Sequence, residues 1–339
     1  MMMPKVAVVI LNFNTIDFLK QFLMHVVATN YSNLEVVLID NASSDDSVAF
    51  VKQNFGDVKI IQLENNYGFT GGYNRGLKQV EADYYVLLNS DVEVDENWLQ
   101  PLVDLAESDK NIAAIQPKIL DYKNKTIFEY AGASGGFIDQ YGFPFCRGRI
   151  FESIEQDLGQ YNDIKQIFWA TGAAMFVNAK LYHEVGGLDE DFFAHMEEID
   201  FCWRIQNRGY KVMVCPESKV YHVGGGTLQK TNPRKTYYNF RNGLILLIKN
   251  LPTKKLMPII IMRLIFDHIA AYRWLFQGKS KDFFAVAKAH RHFIFRLRYW
   301  YKKRSKTNVN VYKSDLVLKE SIALAHYVKK RQFFSEVAP

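Results

Sequence analysis

The sequence predicts an α/β protein built on a mixed, mostly parallel sheet flanked by helices. Three observations point there. Continuous apolar, β-branched runs recur at Val6–Leu11, Val36–Ile39, Lys59–Leu63 and Tyr84–Leu88. Segments long enough for helices separate them, at Thr15–Ala28, Ser44–Asn54 and Gly72–Val80. Polar residues directly follow each of the four runs. Strands that do not alternate are buried on both faces, as in a parallel sheet covered by helices. Strand and helix in alternation mean βαβ units.

The elements follow in order. Ser43, Ser44, Asp45 and Asp46 supply cap candidates and first-turn acids for the second helix. Gly132, Gly135, Gly136, Gly142 and Pro144 punctuate residues 121–166, which predicts loops and short strands. Phe168–Val177 returns to a strand-like run. Asp191–Arg208 reads as a helix ended by Gly209, and Lys211–Cys215 as a strand stopped by Pro216. Tyr237–Asn250 and Leu256–Phe276 are apolar segments salted with Lys and Arg. Lys281–Trp300 is the clearest amphipathic helix. At roughly 100° per residue, Phe283, Val286, His290, Phe293, Ile294, Leu297 and Trp300 share one side. Lys281, Lys288, Arg291 and Arg298 fall opposite, and Phe284 and Phe295 break the pattern.

Composition narrows the class. The chain has 339 residues, 48% hydrophobic and 23% charged, which excludes disordered, collagen-like and coiled-coil chains. Cys146, Cys202 and Cys215 have no CxxC spacing, so neither a disulfide framework nor structural zinc is expected. No cleavage-site pattern follows the N-terminal apolar run, and no stretch has the ~18 uncharged apolar residues of a spanning helix. A cytoplasmic protein is expected. The net charge of +6 conceals a division. Residues 1–229 hold 18 Lys and Arg against 31 Asp and Glu; residues 230–304 hold 18 against 2. The expected organisation is therefore a catalytic domain over 1–230 and a basic helical segment over 231–339. That segment either packs with a solvated basic face or lies on an anionic membrane. The size of the charge excess favours the membrane; nucleic acid is the competing partner.

In open α/β sheets, ligands bind outside the carboxyl ends of the strands. Asn12-Phe13-Asn14, Asp40-Asn41-Ala42-Ser43 and Asn89-Ser90-Asp91 all fall there. One such cluster is ordinary turn chemistry; three at one edge suggest a site. Asp40 can accept hydrogen bonds from a ribose or base edge. The glycine-rich stretch Asn65–Gly76 lets backbone approach a diphosphate, and Arg75 offers a cation, though it is neither GxGxxG nor a Walker loop. Asp91 is the best ligand candidate for Mg²⁺ or Mn²⁺, which prefer oxygen donors shared with phosphates. His222 precedes a glycine run and is a second candidate. Glu197 and Asp200 share a helix face beside Glu198. Neighbouring carboxylates raise one another's pKa, which suits a general base.

Together these residues resemble the family-2 glycosyltransferases of the GT-A, Rossmann-like fold, most closely the bacterial rhamnosyltransferase and galactofuranosyltransferase branch. The resemblance rests on VVILNFN, DNASSDDS, NNYGFTGGYNRG, LLNSDVEV, WATGAAMFV, GGLDEDFFAHMEEIDFCWR and YHVGGGT in that order. It spans about residues 5–245, including Tyr237–Asn242. It implies that Asn12, Phe13, Asn14, Asp40 and Asn41 line the nucleotide pocket, while Asn66, Gly68, Gly72, Asn74 and Arg75 shape the diphosphate side. Asn89, Ser90 and Asp91 stand at the DxD-type motif, so Asp91 carries most of the metal ligation and His222 joins it. Trp169, Thr171, Gly172 and Asp200 border the acceptor. The Glu-Asp motif falls on Glu197-Glu198, pointing to Glu198 as the base with Glu197 as the alternative.

The implied activity is inverting, metal-dependent transfer from a UDP-, dTDP- or GDP-sugar to a glycan or lipid-linked glycan, with surface polysaccharide as product. The implied location is the inner face of the cell membrane, with no nucleic-acid partner. Two rivals stand beside it. A sugar nucleotidyltransferase would carry a glycine-rich, basic signature after the first strand, where Asn12-Phe13-Asn14-Thr15 stands. A membrane-docked scaffold without turnover would draw on Asn89 and Glu198, the two departures from the family pattern.

Overall fold

The structure is a computed structural model and describes residues 3–224, 232–304, 312 and 315–337. The expected domain boundary at 230/231, and Gly225, Gly226 and Thr227 of the glycine run, lie outside the described residues.

The strands are β1 Val6–Asn12, β2 Leu34–Asp40, β3 Lys59–Gln62, β4 Tyr84–Leu88, β5 Val92–Val94, β6 Ile112–Asp121, β7 Gly136–Asp139, β8 Pro144–Cys146, β9 Arg149–Ile150, β10 Ser153–Ile154, β11 Lys165–Gln166, β12 Ala174–Asn178, β13 Lys211–His222 and β14 Val317–Leu318. The helices are α1 Ile16–Val27, α2 Ser47–Asn54, α3 Gly68–Gly76, α4 Leu99–Ser108, α5 Ala179–Glu184, α6 Glu197–Gln206, α7 Pro233–Asn250, α8 Thr253–Phe276, α9 Ser280–Phe295, α10 Leu297–Lys302 and α11 Ile322–Tyr327.

The main sheet runs β11-β13-β6-β12-β4-β1-β2-β3, with β5 pairing off β13. The β4-β1-β2-β3 half is parallel, whereas β12 is antiparallel to both β4 and β6. Alternate residues of β1 serve two cores. Val6, Val8 and Ile10 pack with Leu19, Leu23 and Leu99; Ala7 and Val9 pack with Tyr73, Leu87 and Trp203. That double burial explains why the early strands read as continuous apolar runs. A second sheet, β10-β9-β8-β7-β14, occupies the glycine-punctuated stretch and borrows its last strand from the C-terminal segment.

The same principles explain where the elements differ from expectation. Pro216 does not stop β13; register shifts between Cys215 and Lys219, and the strand resumes to His222. A bulge tolerates proline's missing N–H. The third helix starts earlier, at Gly68, and gives way to a 3₁₀ turn over Leu77–Gln79. Only Ala174–Asn178 of the expected Phe168–Val177 strand pairs as a strand. The helix expected from Asp191 begins at Glu197, because Phe193, His195 and Met196 all have positive φ, 66°, 68° and 73°. The long amphipathic helix divides at Arg296. Val286, His290, Phe293 and Trp300 of its apolar side are buried, but Ile294 and Leu297 are exposed.

The C-terminal segment packs on the catalytic part. Lys249 of α7 reaches Asp189 at 2.5 Å and Asp200 at 2.8 Å, and Lys303 reaches Asp189 at 2.6 Å. Despite burial, these ammonium groups hold the Asp189 carboxyl well below the ordinary carboxylate range. Among the described residues, no helix is long and apolar enough to cross a membrane.

Candidate active site

Three strand ends converge to form the site. Asn12 and Asp40 close β1 and β2 and face each other in register. Both are buried, and Asn12 Nδ2 donates to Asp40 Oδ1 and to Ser43 Oγ, each at 2.9 Å. The Ser43 amide donates to Asp40 Oδ2 at 3.2 Å. Asn14 has φ 55°, and its Oδ1 accepts from the Ser44 amide at 2.8 Å. The backbone thus folds around Asp40 while Phe13 stays exposed beside it. Asn41 Nδ2 donates to Asn66 Oδ1 and to the Gly68 carbonyl, both at 3.0 Å, tying the glycine-rich stretch to β2. A Cβ on Gly72 would sit 2.7 Å from Leu11 Cδ1, so a larger residue there would force the Leu11 side chain to move.

Two residues expected at the diphosphate side have partners within the chain. Asn74 donates to the Leu188 carbonyl at 2.7 Å and accepts from Tyr182 Oη at 2.8 Å. Arg75 pairs with Glu190 at 2.9 Å and covers the Tyr67 ring at 3.9 Å. Both join the end of α3 to the segment ahead of α6.

Asp91 follows β4 on the turn into β5. β5 pairs antiparallel with the end of β13, placing His222 opposite Val92. His222 Nε2 therefore lies 3.2 Å from Asp91 Oδ1, and its Nδ1 lies 3.4 Å from Glu129 Oε2. All three side chains are buried. Burial alone would lower the His222 pKa, but the two carboxylates win and push it up to about 10. Once the His222 proton is released, a carboxylate oxygen and an imidazole nitrogen this close suit one Mg²⁺ or Mn²⁺ ion, with nitrogen favouring Mn²⁺. Among the described residues, no three His, Cys, Asp or Glu side chains form a ready cage. A metal here would need further oxygens, and diphosphate could supply them.

The third part is the acid pair that opens α6. Glu197 Oε2 and Glu198 Oε2 are buried and have no hydrogen-bond partner. Burial, then the charge of Glu198, raises Glu197 well above the ordinary carboxylate range; burial raises Glu198 to about 7. A Cβ built on Gly172 would lie 4.0 Å from Glu198 Cβ and 3.3 Å from the Phe69 ring, so Gly172 and Glu198 are neighbours. The next residue, Ala173, accepts the Asn89 amide at 2.9 Å. Residues 172–173 thus neighbour both the acid pair and the turn bearing Asn89, Ser90 and Asp91.

The acceptor-side candidates divide. Gly172 lies beside Glu198. Thr171 is buried, and its amide donates to Gln116 Oε1 at 3.0 Å. Trp169 is buried over Gly136 and donates from Nε1 to the Phe137 carbonyl at 2.9 Å. Asp200 is fully buried among Arg204, Lys249 and Asn250, each within 2.8 Å.

Sequence reasoning missed Glu129 and Gln116. Both lie in or beside stretches where glycines obscure the strand pattern, and only pairing across the sheet delivers them. It also gave no role to Arg241 and Asn242, which lie against the acid-bearing turn.

A mixed sheet of this order, with polar clusters closing its parallel strands, is the GT-A fold of glycosyltransferases. The chain belongs to glycosyl transferase family 2, whose family model matches residues 7–182. It is 23% identical over 228 residues to the low-salt glycan biosynthesis hexosyltransferase Agl10 of Haloferax volcanii, covering 65% of this chain and 68% of that one. It is 23% identical over 236 residues to N-acetylglucosaminyl-diphospho-decaprenol L-rhamnosyltransferase of Mycobacterium tuberculosis, covering 65% and 75%. Among solved structures, GalNAc-T7 with UDP, GalNAc and Mn²⁺ aligns with a TM-score of 0.59 at 19% identity. That alignment covers 73% of this chain and about half, 49%, of the other.

Proposed function

We propose that this protein is an inverting, metal-dependent glycosyltransferase. It moves a sugar from a UDP-, dTDP- or GDP-sugar to a glycan or lipid-linked glycan during polysaccharide assembly. The observation that carries this reading is that Gly172 and Ala173 are neighbours of both Glu198 and the Asn89–Asp91 turn. A proton acceptor and a cation-binding turn close to the ends of the parallel strands are the parts a direct displacement requires.

Glu198 takes the proton of the acceptor hydroxyl, and the oxygen attacks the anomeric carbon. Its unpartnered oxygen and raised pKa give it the proton affinity for this. The glycosidic bond to the diphosphate breaks as the new bond forms, so one displacement inverts the anomeric centre. Asp40 and Asn12 hold the nucleoside, and the α3 N-terminus faces the phosphates. Asp91 and His222 would hold a divalent cation, which when bound neutralises charge on the leaving diphosphate. Glu129 keeps the His222 ring oriented.

The basic segment supports an anionic membrane as the acceptor's location. Phe284, Lys288, Arg291, Phe295 and Arg298 recur at helical spacing and are all exposed. The two aromatics that broke the amphipathic pattern thus join a basic face suited to a lipid surface. On α8, Met257, Ile261, Ile265, Ile269 and Phe276 form a second exposed apolar face.

The test is a panel of nucleotide-sugars with Mn²⁺ and lipid-linked acceptors, read as release of nucleoside diphosphate. Release with one donor, and an inverted linkage in the product, is expected. No release and no calorimetric binding for any donor would end this reading.

A further inference from the structure

The turn between Phe192 and Glu197 is held in a conformation its residues disfavour. Phe193, His195 and Met196 all have positive φ, and none is glycine, asparagine or aspartate. Such a turn persists only where its surroundings over-determine it. Here they come from α7. Asn242 Nδ2 faces three carbonyls, donating to Phe192 at 3.0 Å, Ala194 at 2.9 Å and His195 at 2.7 Å. Its Oδ1 accepts from Arg241 Nε at 2.8 Å, which fixes which way the amide points. Arg241 Nη2 adds bonds to the carbonyls of Asp191 at 2.7 Å and Phe192 at 3.0 Å. Both side chains are buried, and the guanidinium lies 5.4 Å from the Tyr237 ring and 5.1 Å from the Tyr238 ring.

The same turn reaches the donor side. Phe193 stacks on Tyr238, with centroids 5.5 Å apart and planes 14° apart. Its opposite neighbour is Gly68, where an added Cβ would lie 3.0 Å from the Phe193 ring. One face of α7 therefore sets both the entry to α6 and the cover over the start of α3.

We propose that Arg241 and Asn242 are positioning residues: they hold the positive-φ turn over residues 193–196 so that Glu197 and Glu198 point at the acceptor. This rests on the proposed assignment of the base. It explains why the basic segment, whose far helices carry the exposed apolar faces, begins with a helix buried against the catalytic part. Loss of these bonds leaves the carboxylates attached to a turn free to relax, and a displacement of about 1 Å at a reacting group costs about a hundredfold in rate.

The test uses the full-length protein with Asn242→Asp, Arg241→Ala and Arg241→Lys. Asn242→Asp keeps the shape but turns the donor into an acceptor facing three carbonyls. The expected result is a kcat lowered by about tenfold to a hundredfold, with the nucleotide-sugar KM within about twofold. Backbone amides over 193–199 should exchange faster while those of β1, β2 and β4 keep their protection. Arg241→Lys should recover part of what Arg241→Ala loses. If Asn242→Asp does not fold, the Arg241 pair decides by the same readouts. Unchanged exchange over 193–199, or faster exchange with kcat unchanged, would overturn the proposal. A wild-type protein with no turnover would sink the glycosyl-transfer reading instead, and the exchange measurement would still decide whether the clamp exists.

Discussion

His222 Nε2 lies 3.2 Å from Asp91 Oδ1, although the two residues are far apart in the chain. The pairing of β5 with the end of β13 brings them together, and Glu129 backs the imidazole from its other nitrogen. This arrangement makes the end of β13 part of the site and leads to the first expectation.

Asp91→Asn and His222→Ala should each abolish measurable Mn²⁺ binding by titration calorimetry or electron paramagnetic resonance. Turnover should fall by about a hundredfold or more. Glu129→Gln should weaken Mn²⁺ binding by about tenfold to a hundredfold without abolishing it, the usual effect of removing a ligand's supporting partner. Mn²⁺ affinity unchanged in Asp91→Asn would remove the metal assignment.

The acid pair sets the pH dependence. Burial raises Glu198 to about 7, so the proposed base is largely protonated in mildly acidic buffer. Turnover should rise with pH through neutrality rather than through the ordinary carboxylate range. Glu198→Gln should lose activity by about a hundredfold or more at every pH. A kcat profile flat from pH 5 to 8 would argue against an acid with a raised pKa as the base.

The same shift has a stability consequence of known sign. A carboxyl whose folded pKa is raised favours the fold below its unfolded pKa and loses that contribution as pH rises through the folded value. Glu198→Gln should therefore leave the Tm nearly unchanged at pH 4.5 and raise it by a few degrees at pH 8, a gain on the order of 1 kcal/mol. Thermal denaturation at the two pH values checks this.

Asp200 offers a different comparison. It is fully buried against Lys249 and Arg204, which hold its carboxyl below the ordinary range despite burial. Asp200→Asn leaves buried cations short of a partner and should cost about 3 kcal/mol of stability. Acceptor KM in the surviving protein should stay within about twofold, since the side chain serves the α6–α7 contact. A large rise in acceptor KM at unchanged Tm would instead place Asp200 at the acceptor.

The aromatic-basic face of α9 should bind vesicles containing anionic lipid, with affinity falling as salt rises. The pair Phe284→Glu and Phe295→Glu should abolish sedimentation with such vesicles and leave turnover on a soluble acceptor unchanged. Equal sedimentation by the variant would remove the membrane assignment.

Much of the fold was legible because its early strands are buried on both faces. Val6–Leu11 and Val36–Ile39 announce themselves as apolar runs, and Asn12, Asp40 and Asn89 mark where they end. The later half was harder to read. Pro216 looks like a terminator, yet β13 absorbs it in a bulge and delivers His222 beyond it. Asp191–Arg208 has helical composition throughout, but three positive-φ residues delay the helix to Glu197. What stabilises those residues is Arg241 and Asn242, which are distant in sequence and carry no local signal. Glu129 was hidden for the same reason: its role exists only across the sheet.

The most direct test is a crystal of the protein grown with Mn²⁺ and its nucleotide-sugar, measured at the manganese absorption edge. The account requires one anomalous peak between Asp91 and His222, with the diphosphate against it and the anomeric carbon on the Glu198 side. A nucleotide bound away from Asp91, or a peak with neither residue among its ligands, would contradict it.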